Sequence, residues 1–285
     1  MMVLGQSSWA QIRDFQTTRL ISTGGAGVAS VLSTEAAILN PGTAAFFNNS
    51  GFSYHSYSTS LRKESDLRQD DFSKAKSQGI FASDQTGPVK GGLAYLLQDE
   101  NDWERKQLVA HAASSIGKAT SLGFSYRYIE DKLPSGSPRR HFLHHQVNTG
   151  FLHAFSEDTT LGLVMTDLGR TTPNEERLIG GFQYAITKKF LLMGDAGAQY
   201  TRAFSKKYLW RASLQLNIFS DFFLRVGQFY DNIQEFKGTG WGVSWLGPKL
   251  GVEFAQKFSD QFGKDSYIYQ DESLVDTSIS AVIKF

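Results

Sequence analysis

The feature that most constrains this chain is strict alternation. Between positions 208 and 218, Tyr208, Trp210, Ala212, Leu214, Leu216 and Ile218 fall on one side of an extended backbone, and Leu209, Arg211, Ser213, Gln215 and Asn217 fall on the other. Successive side chains of a strand point to opposite faces, so the pattern describes a strand with two unlike sides and fits no helix. The split recurs where Leu122, Phe124, Tyr126 and Tyr128 oppose Ser121, Gly123, Ser125 and Arg127, and where Leu250, Val252 and Phe254 oppose Lys249, Gly251 and Glu253. It closes the chain, with Ile279, Ala281, Ile283 and Phe285 against Ser278, Ser280, Val282 and Lys284.

Marked along the chain, such stretches fall at 51–61, 76–85, 88–98, 104–114, 118–130, 142–155, 158–168, 175–187, 189–201, 207–218, 221–231, 236–246, 248–258 and 274–285, fourteen segments in all. Most are longer than the five or six residues typical of strands in soluble sheets and suit tilted strands crossing a bilayer. The connections fall into two classes. Tight turns are expected at Gln85-Thr86-Gly87, Ser156-Glu157-Asp158, Thr187-Lys188-Lys189, Phe219-Ser220-Asp221 and Leu246-Gly247-Pro248. Between them lie longer polar stretches, at 62–76, 131–141, 168–175, 232–236 and 259–273. Short turns on one rim and longer loops on the other are the habit of outer-membrane barrels, and an even strand count returns both ends of the wall to the short-turn rim.

Composition is compatible with this reading. Mean hydropathy is −0.28, and every apolar run is broken well before the ~18 residues a membrane helix needs. A barrel hides one apolar face behind a polar lumen, so it escapes that test. The 22 Phe, 11 Tyr and 5 Trp exclude a disordered chain. Tyr54, Tyr57, Trp103, Phe155, Phe190, Tyr208, Trp210, Phe219, Phe222, Tyr230, Trp241 and Trp245 are expected near strand ends, where interfacial girdles form. A soluble β-sandwich also alternates, but with shorter strands and without two classes of connection. With 29 basic and 28 acidic residues and no basic tract, nucleic acid is not an expected partner. Cys is absent, which excludes disulfides, thiolate metal sites and a cysteine nucleophile.

The first fifty residues differ from the rest, being rich in small residues and almost uncharged, and they read as a compact N-terminal plug, residues 1–50, ahead of a barrel at 51–285. Met1 to Gly5 is too short for a secretory signal, yet Val3, Leu4 and Gly5 have the small-residue pattern that precedes a signal-peptidase cut, so an absent or truncated signal is expected. Ser33 or Thr34 as N-cap, Glu35 in the first turn and Asn40-Pro41 as stop predict a short helix. Gly25-x-Gly27 lacks the preceding strand and the Lys of a phosphate loop, and reads as glycines for tight turns.

The block Gly24-Gly25-Ala26-Gly27-Val28-Ala29, followed by Glu35-Ala36-Ala37-Ile38-Leu39-Asn40-Pro41-Gly42-Thr43-Ala44-Ala45, resembles the plug motif of the long-chain fatty-acid transporter superfamily, the FadL-like and PorV-like barrels. In that family a Gly/Ala-rich stretch precedes a short helix ending in Asn-Pro-Ala; here Gly42 stands in third place. The terminal Phe285 after alternating apolar residues is similar to the C-terminal assembly signal of outer-membrane barrels. The resemblance implies a plugged fourteen-stranded barrel in a bacterial outer membrane, surrounded by its lipid. Two roles follow from it: passage or binding of a hydrophobic small molecule, or, as in the compact PorV-like branch, a sealed barrel that docks another outer-membrane or secreted protein. The chain's short loops point toward the compact branch. Gly24, Gly25, Gly27, Asn40 and Pro41 carry the plug motif.

Strand parity then assigns the lumen. Arg127, Asp195, Gln199, Arg211, Gln215, Asn217, Arg225, Glu253 and Lys257 are expected to face inward as a polar network bracing the plug or lining a conduit. Leu191, Met193, Phe223 and Phe229 share that face and are candidate contacts for a hydrophobic ligand, or packing for the plug. His141 and His145 share a face that His144 does not, so at most two of the three could meet one metal, and neither a metal nor a cofactor is expected. No nucleophile elbow or other activated context marks an enzyme.

Overall fold

The computed structural model describes residues 13–31, 35–47, 50–63, 75–100, 103–133, 141–172, 175–203, 206–262 and 272–285. The proposed cleavage pattern at Val3 to Gly5 and the caps Ser33 and Thr34 lie outside them. Fourteen strands follow a short helix, α1 (Thr18–Ser22), and a 3-10 helix, Pro41–Phe46. They are β1 (Gly51–Lys63), β2 (Ala75–Asp84), β3 (Val89–Glu100), β4 (Trp103–Ser115), β5 (Thr120–Lys132), β6 (His141–Ala154), β7 (Thr159–Thr166), β8 (Arg177–Thr187), β9 (Phe190–Ala198), β10 (Tyr208–Phe219), β11 (Phe222–Asp231), β12 (Phe236–Leu246), β13 (Leu250–Gln261) and β14 (Glu272–Lys284). Each pairs antiparallel with its neighbour in sequence, and β1 pairs with β14 from Gly51↔Lys284 onward, which closes the ring. Closure leaves no unpaired edge, the condition for a sheet to sit in hydrocarbon.

Every alternating segment of the sequence is one of these strands, with ends displaced by a few residues. The outward face carries Leu93 and Tyr95 on β3, Phe124 and Tyr126 on β5, Leu161 and Leu163 on β7, Val243 on β12 and Ile279 and Ile283 on β14, all exposed. An exposed apolar surface this extensive would be a liability in water and is what a bilayer solvates. The wall is that of an outer-membrane barrel. Phe155, Phe190, Phe219, Phe222 and Trp245 crowd the short-turn rim, while Tyr208 and Tyr230 stack at 5.6 Å near the loop rim.

Four expectations are corrected. Tyr57 is no girdle residue: it stands three positions from the outward Tyr54, therefore on the other face, and is buried against Phe15 at 5.6 Å. Trp241 sits in the middle of β12, paired edge-to-face with Phe254 at 5.8 Å. Asn40-Pro41 starts a helix rather than stopping one. The Asn40 side chain accepts from the Gly42 N–H at 3.0 Å as N-cap of the 3-10 helix, Pro41 occupies its first position, and residues 36–38 before it form only a turn. Proline at the first helical position loses no hydrogen bond, so the same dipeptide serves either end of a helix. On the loop rim, β3 and β4 are joined by residues 101–102 alone and β11 and β12 by 232–235, no longer than 85–88 on the other rim, so the alternation of short and long connections has two exceptions.

Candidate functional site

The lumen is the candidate site, and it is occupied by the chain's own N-terminal segment. Arg13 donates to Asp276 on β14 at 3.1 Å and to Thr59 on β1 at 2.7 Å. Asp14 accepts from Arg177 on β8 at 2.7 Å, and Gln16 accepts from Lys257 on β13 at 2.8 Å. α1 is capped by Thr17, whose hydroxyl accepts from the Leu20 N–H at 3.3 Å and donates to Glu35 at 2.7 Å. After α1 the chain turns through Gly24 and Gly25, with φ of 63° and 87°, values that a side chain would strain. The Gly25 carbonyl accepts from Arg211 at 3.1 Å.

From there the segment follows the inside of the wall. Asp195 on β9 accepts from the Gly27 N–H at 2.8 Å and from the Val28 N–H at 3.2 Å. Thr160 on β7 donates to the Ala29 carbonyl at 2.7 Å. The Asn40 amide donates to the Val28 carbonyl at 2.7 Å and to the Phe151 carbonyl on β6 at 3.1 Å, and Ser121 on β5 donates to the Gly42 carbonyl at 2.7 Å. Arg127 donates to the Ile38 carbonyl at 2.6 Å.

This close approach depends on lumen-facing glycines of the wall. A Cβ on Gly240 or Gly227 would run into the Ile21 or Thr23 carbonyl, one on Gly162 into that of Val28, one on Gly123 into the Pro41–Gly42 backbone, and one on Gly150 into the Asn40 side-chain oxygen. Glycine inside a strand marks another backbone lying against it. Sequence parity places each of these glycines on the polar face, so the signal was present, although it does not say what lies against them.

Buried ion pairs brace the two halves of the lumen. Arg105 holds Asp131 bidentately, at 2.7 and 2.8 Å, and Glu175 at 2.9 Å, and Gln146 donates to the same Glu175 at 2.6 Å. Arg225 donates to Glu253 at 2.9 Å and to Gln215 at 2.7 Å, while Ser244 and Ser280 complete the Glu253 carboxylate at 3.0 and 3.2 Å. Arg211 lies 3.8 Å from Asp231 and directly across the β9–β10 register from Asp195. All six charged positions singled out by parity, Arg127, Asp195, Arg211, Arg225, Glu253 and Lys257, face the lumen. Arg105, Asp131, Glu175, Arg177 and Asp14 were not singled out, because the fold alone brings them together.

The apolar candidates separate. Leu191 and Met193 are buried against Ala26. The Phe223 ring lies 5.8 Å from the Arg225 guanidinium. Phe229 sits 4.7 Å beneath the Lys257 ammonium and faces a cavity of about 30 Å³ that Tyr57 and Ile21 also line. A second cavity, about 80 Å³, lies between Leu20, Ile38 and Leu39 of the N-terminal segment and Leu96, Val164 and Ile179 of the wall, rimmed by Arg105, Arg127 and Arg177. His141 is bonded to Glu130 at 2.8 Å, His144 to the Thr171 carbonyl at 2.8 Å and His145 to the Tyr126 hydroxyl at 2.5 Å, so the three do not converge.

Solved structures share this architecture. The Ralstonia pickettii toluene transporter TbuX matches 95% of this chain and 99% of its own at 14% identity, with a TM-score of 0.67. The CymD monoaromatic hydrocarbon channel matches 94% and 97% at 11% identity and a TM-score of 0.66. A Pseudomonas aeruginosa FadL homologue matches 94% and 98% at 10% identity and a TM-score of 0.63. No family model and no curated protein matches the chain. At these identities the likeness shows the fold, which is the FadL type that the N-terminal motif resembles.

Proposed function

We propose that this barrel binds a hydrophobic small molecule and passes it across the outer membrane, with residues up to about 50 as the plug that controls passage. The observation that carries the reading is the slot between plug and wall. Leu20, Ile38 and Leu39 of the segment and Leu96, Val164 and Ile179 of the wall line about 80 Å³ of space, together with charged and amide side chains such as Arg105, Arg127, Gln146 and Arg177. Apolar walls with polar groups among them suit molecules that leave water readily and are oriented by a few polar contacts. The slot is too small for more than a few atoms, so passage requires the plug to shift. The hydrogen bonds and ion pairs that hold the plug can be exchanged for water one at a time, while Phe15, Ile21 and Val28 have to slide across the wall's apolar side chains. Phe229 lines the smaller cavity and Leu191, Met193 and Phe223 lie along the same inner face, so these four are the proposed ligand contacts. The fold is shared with proteins described as hydrocarbon channels and a toluene transporter, which fits this substrate class.

A second reading is a sealed barrel that docks another outer-membrane or secreted protein. It is favoured by the bracing of the lumen, where Arg105 and Arg225 each sit in buried networks. Native mass spectrometry of protein extracted gently from its own membrane separates the two. Passage predicts a retained aryl- or acyl-sized adduct that is lost in Phe229→Ala. Docking predicts a retained polypeptide, and a bare barrel contradicts both.

A further inference from the structure

A third chamber, of about 180 Å³, lies at the short-turn end, away from the slot. Its apolar walls are Val31, Ala36 and Phe47 of the N-terminal segment and Phe81 and Val282 of the barrel. Ser50, Ser53, Ser83 and Lys284 line it too, and two further polar side chains come into it, Gln85 after β2 and His111 on β4. Both are more than nine-tenths buried, with 7% and 8% of their surfaces exposed. The Gln85 Oε1 and Nε2 and the His111 Nδ1 have no hydrogen-bond partner among the described residues. Elsewhere on the inner face Thr160 bonds the Ala29 carbonyl and Ser121 the Gly42 carbonyl, while Gln183, Ser213 and Ser259 each leave one side-chain oxygen without a partner among the described residues; Gln85 leaves both of its amide atoms so. A buried amide with neither of its atoms paired is costly, and such a group requires an explanation.

The chemistry of the orphaned atoms narrows the ligand. Oε1 needs a donor, Nε2 needs an acceptor, and Nδ1 takes either role according to its tautomer. One head group that both gives and accepts a hydrogen bond satisfies the Gln85 amide completely. A hydroxyl or a primary amide does this. A carboxylate leaves Oε1 without a donor, even with Lys284 in the lining as its counter-charge, and a plain hydrocarbon leaves every orphan unpaired. Among the described residues no acidic side chain lines the chamber and Lys284 does, so an organic cation finds no counter-charge there. The size is of the order of a ~150 Å³ apolar cavity that takes a benzene ring.

We propose that this chamber is a binding site for a small neutral amphiphile, a hydroxyl or primary amide on one aromatic ring or an apolar body of similar size. It is separate from the slot, and binding there does not depend on passage through the lumen.

The test uses the full-length barrel in nanodiscs, titrated with 4-fluorophenol, fluorobenzene and 4-fluorobenzoate and read by fluorine NMR against empty nanodiscs. The expected result is saturable binding of 4-fluorophenol about tenfold tighter than fluorobenzene, the size of effect one or two satisfied hydrogen bonds give, with fluorobenzoate weaker than the phenol. Gln85→Leu keeps the volume and removes both orphans, so it is expected to bring phenol and fluorobenzene to equal affinity. Ala36→Phe fills the chamber and is expected to abolish both. Cold gel mobility checks that each variant is a folded barrel, and His111→Phe replaces any variant that is not. Equal affinity for phenol and fluorobenzene in the unaltered protein would overturn the proposal, as would a preference for phenol that survives Gln85→Leu. Ordered water alone on the Gln85 amide, in a barrel soaked with 4-fluorophenol, would overturn it too.

Discussion

Replacing Asp195 with Asn isolates the contact that holds the N-terminal segment's glycine turn to the wall. The carboxylate accepts two backbone N–H bonds, from Gly27 at 2.8 Å and Val28 at 3.2 Å, in a buried setting. A hydrogen bond to a charged group contributes about 1.5–3 kcal/mol net. Asn keeps one acceptor oxygen and turns an NH2 toward the other N–H, so one charge-assisted bond is lost and the second becomes neutral. Arg211, directly across the strand register, loses its opposed charge as well. The sum is a weakening of about 3 kcal/mol, or on the order of 10²-fold in the population of the locally opened segment. Hydrogen–deuterium exchange of the folded barrel reads this directly, as faster exchange of the peptide covering residues 20–31 with no change in the one covering 41–47, since local openings report their own free energies. Unchanged protection at Gly27 and Val28 would refute the reasoning. So would a uniform loss across all strands, which would make Asp195 a general stabiliser of the wall.

Three further outcomes are expected. Gly227→Val puts a branched side chain where the Thr23 carbonyl lies; overpacking of this kind costs about 1–3 kcal/mol, and the variant is expected to keep its barrel mobility on cold gels while trypsin gains access to Arg13 and Arg19. Glu253→Ala leaves the buried Arg225 guanidinium without its carboxylate and is expected to lower unfolding stability by about 3–5 kcal/mol, whereas Arg225→Met with Glu253→Leu loses much less; equal losses in chemical denaturation would contradict this. Burial pushes the Asp14 carboxyl up, but Arg177, with Arg127 and Arg211, pulls it below its ordinary value. A depressed carboxyl contributes stability in full above the ordinary aspartate pKa of about 3.9 and loses it as the pH falls through the folded value. The outer end of the plug is therefore expected to resist pepsin down to about pH 4 and to loosen only below, and loosening that begins near neutral pH would contradict the assignment.

The strands were legible because each has two unlike faces, and a period-two pattern over ten residues admits few other structures. Parity carried further, to Arg211, Asp195 and Glu253 on the inner face, because orientation follows from position along a strand. It fails where two marks are taken together without it, as for Tyr54 and Tyr57. The N-terminal segment has no periodicity, so its path could not be read. That path is set by glycines on distant strands, such as Gly123 and Gly240, whose shared purpose emerges only when the ring closes. The Arg105–Asp131–Glu175 cluster was hidden for a related reason, since it joins β4 and β5 to a residue just ahead of β8. Asn40-Pro41 was misread because a capping Asn and a following Pro are as good a beginning as an end.

The central claim is that a hydrophobic molecule passes only when the plug moves, and the chain's lack of Cys permits a clean test of it. Ala29→Cys and Thr160→Cys put a thiol on each of two residues that now meet through the Thr160 hydroxyl and the Ala29 carbonyl at 2.7 Å. Cells carrying this variant are assayed for uptake of radiolabelled toluene, with the cross-link scored on non-reducing gels. The account predicts uptake that stops when the pair is oxidised and returns on reduction. Equal uptake in the cross-linked and reduced barrels, or no uptake by the unaltered barrel above cells that lack it, would contradict it.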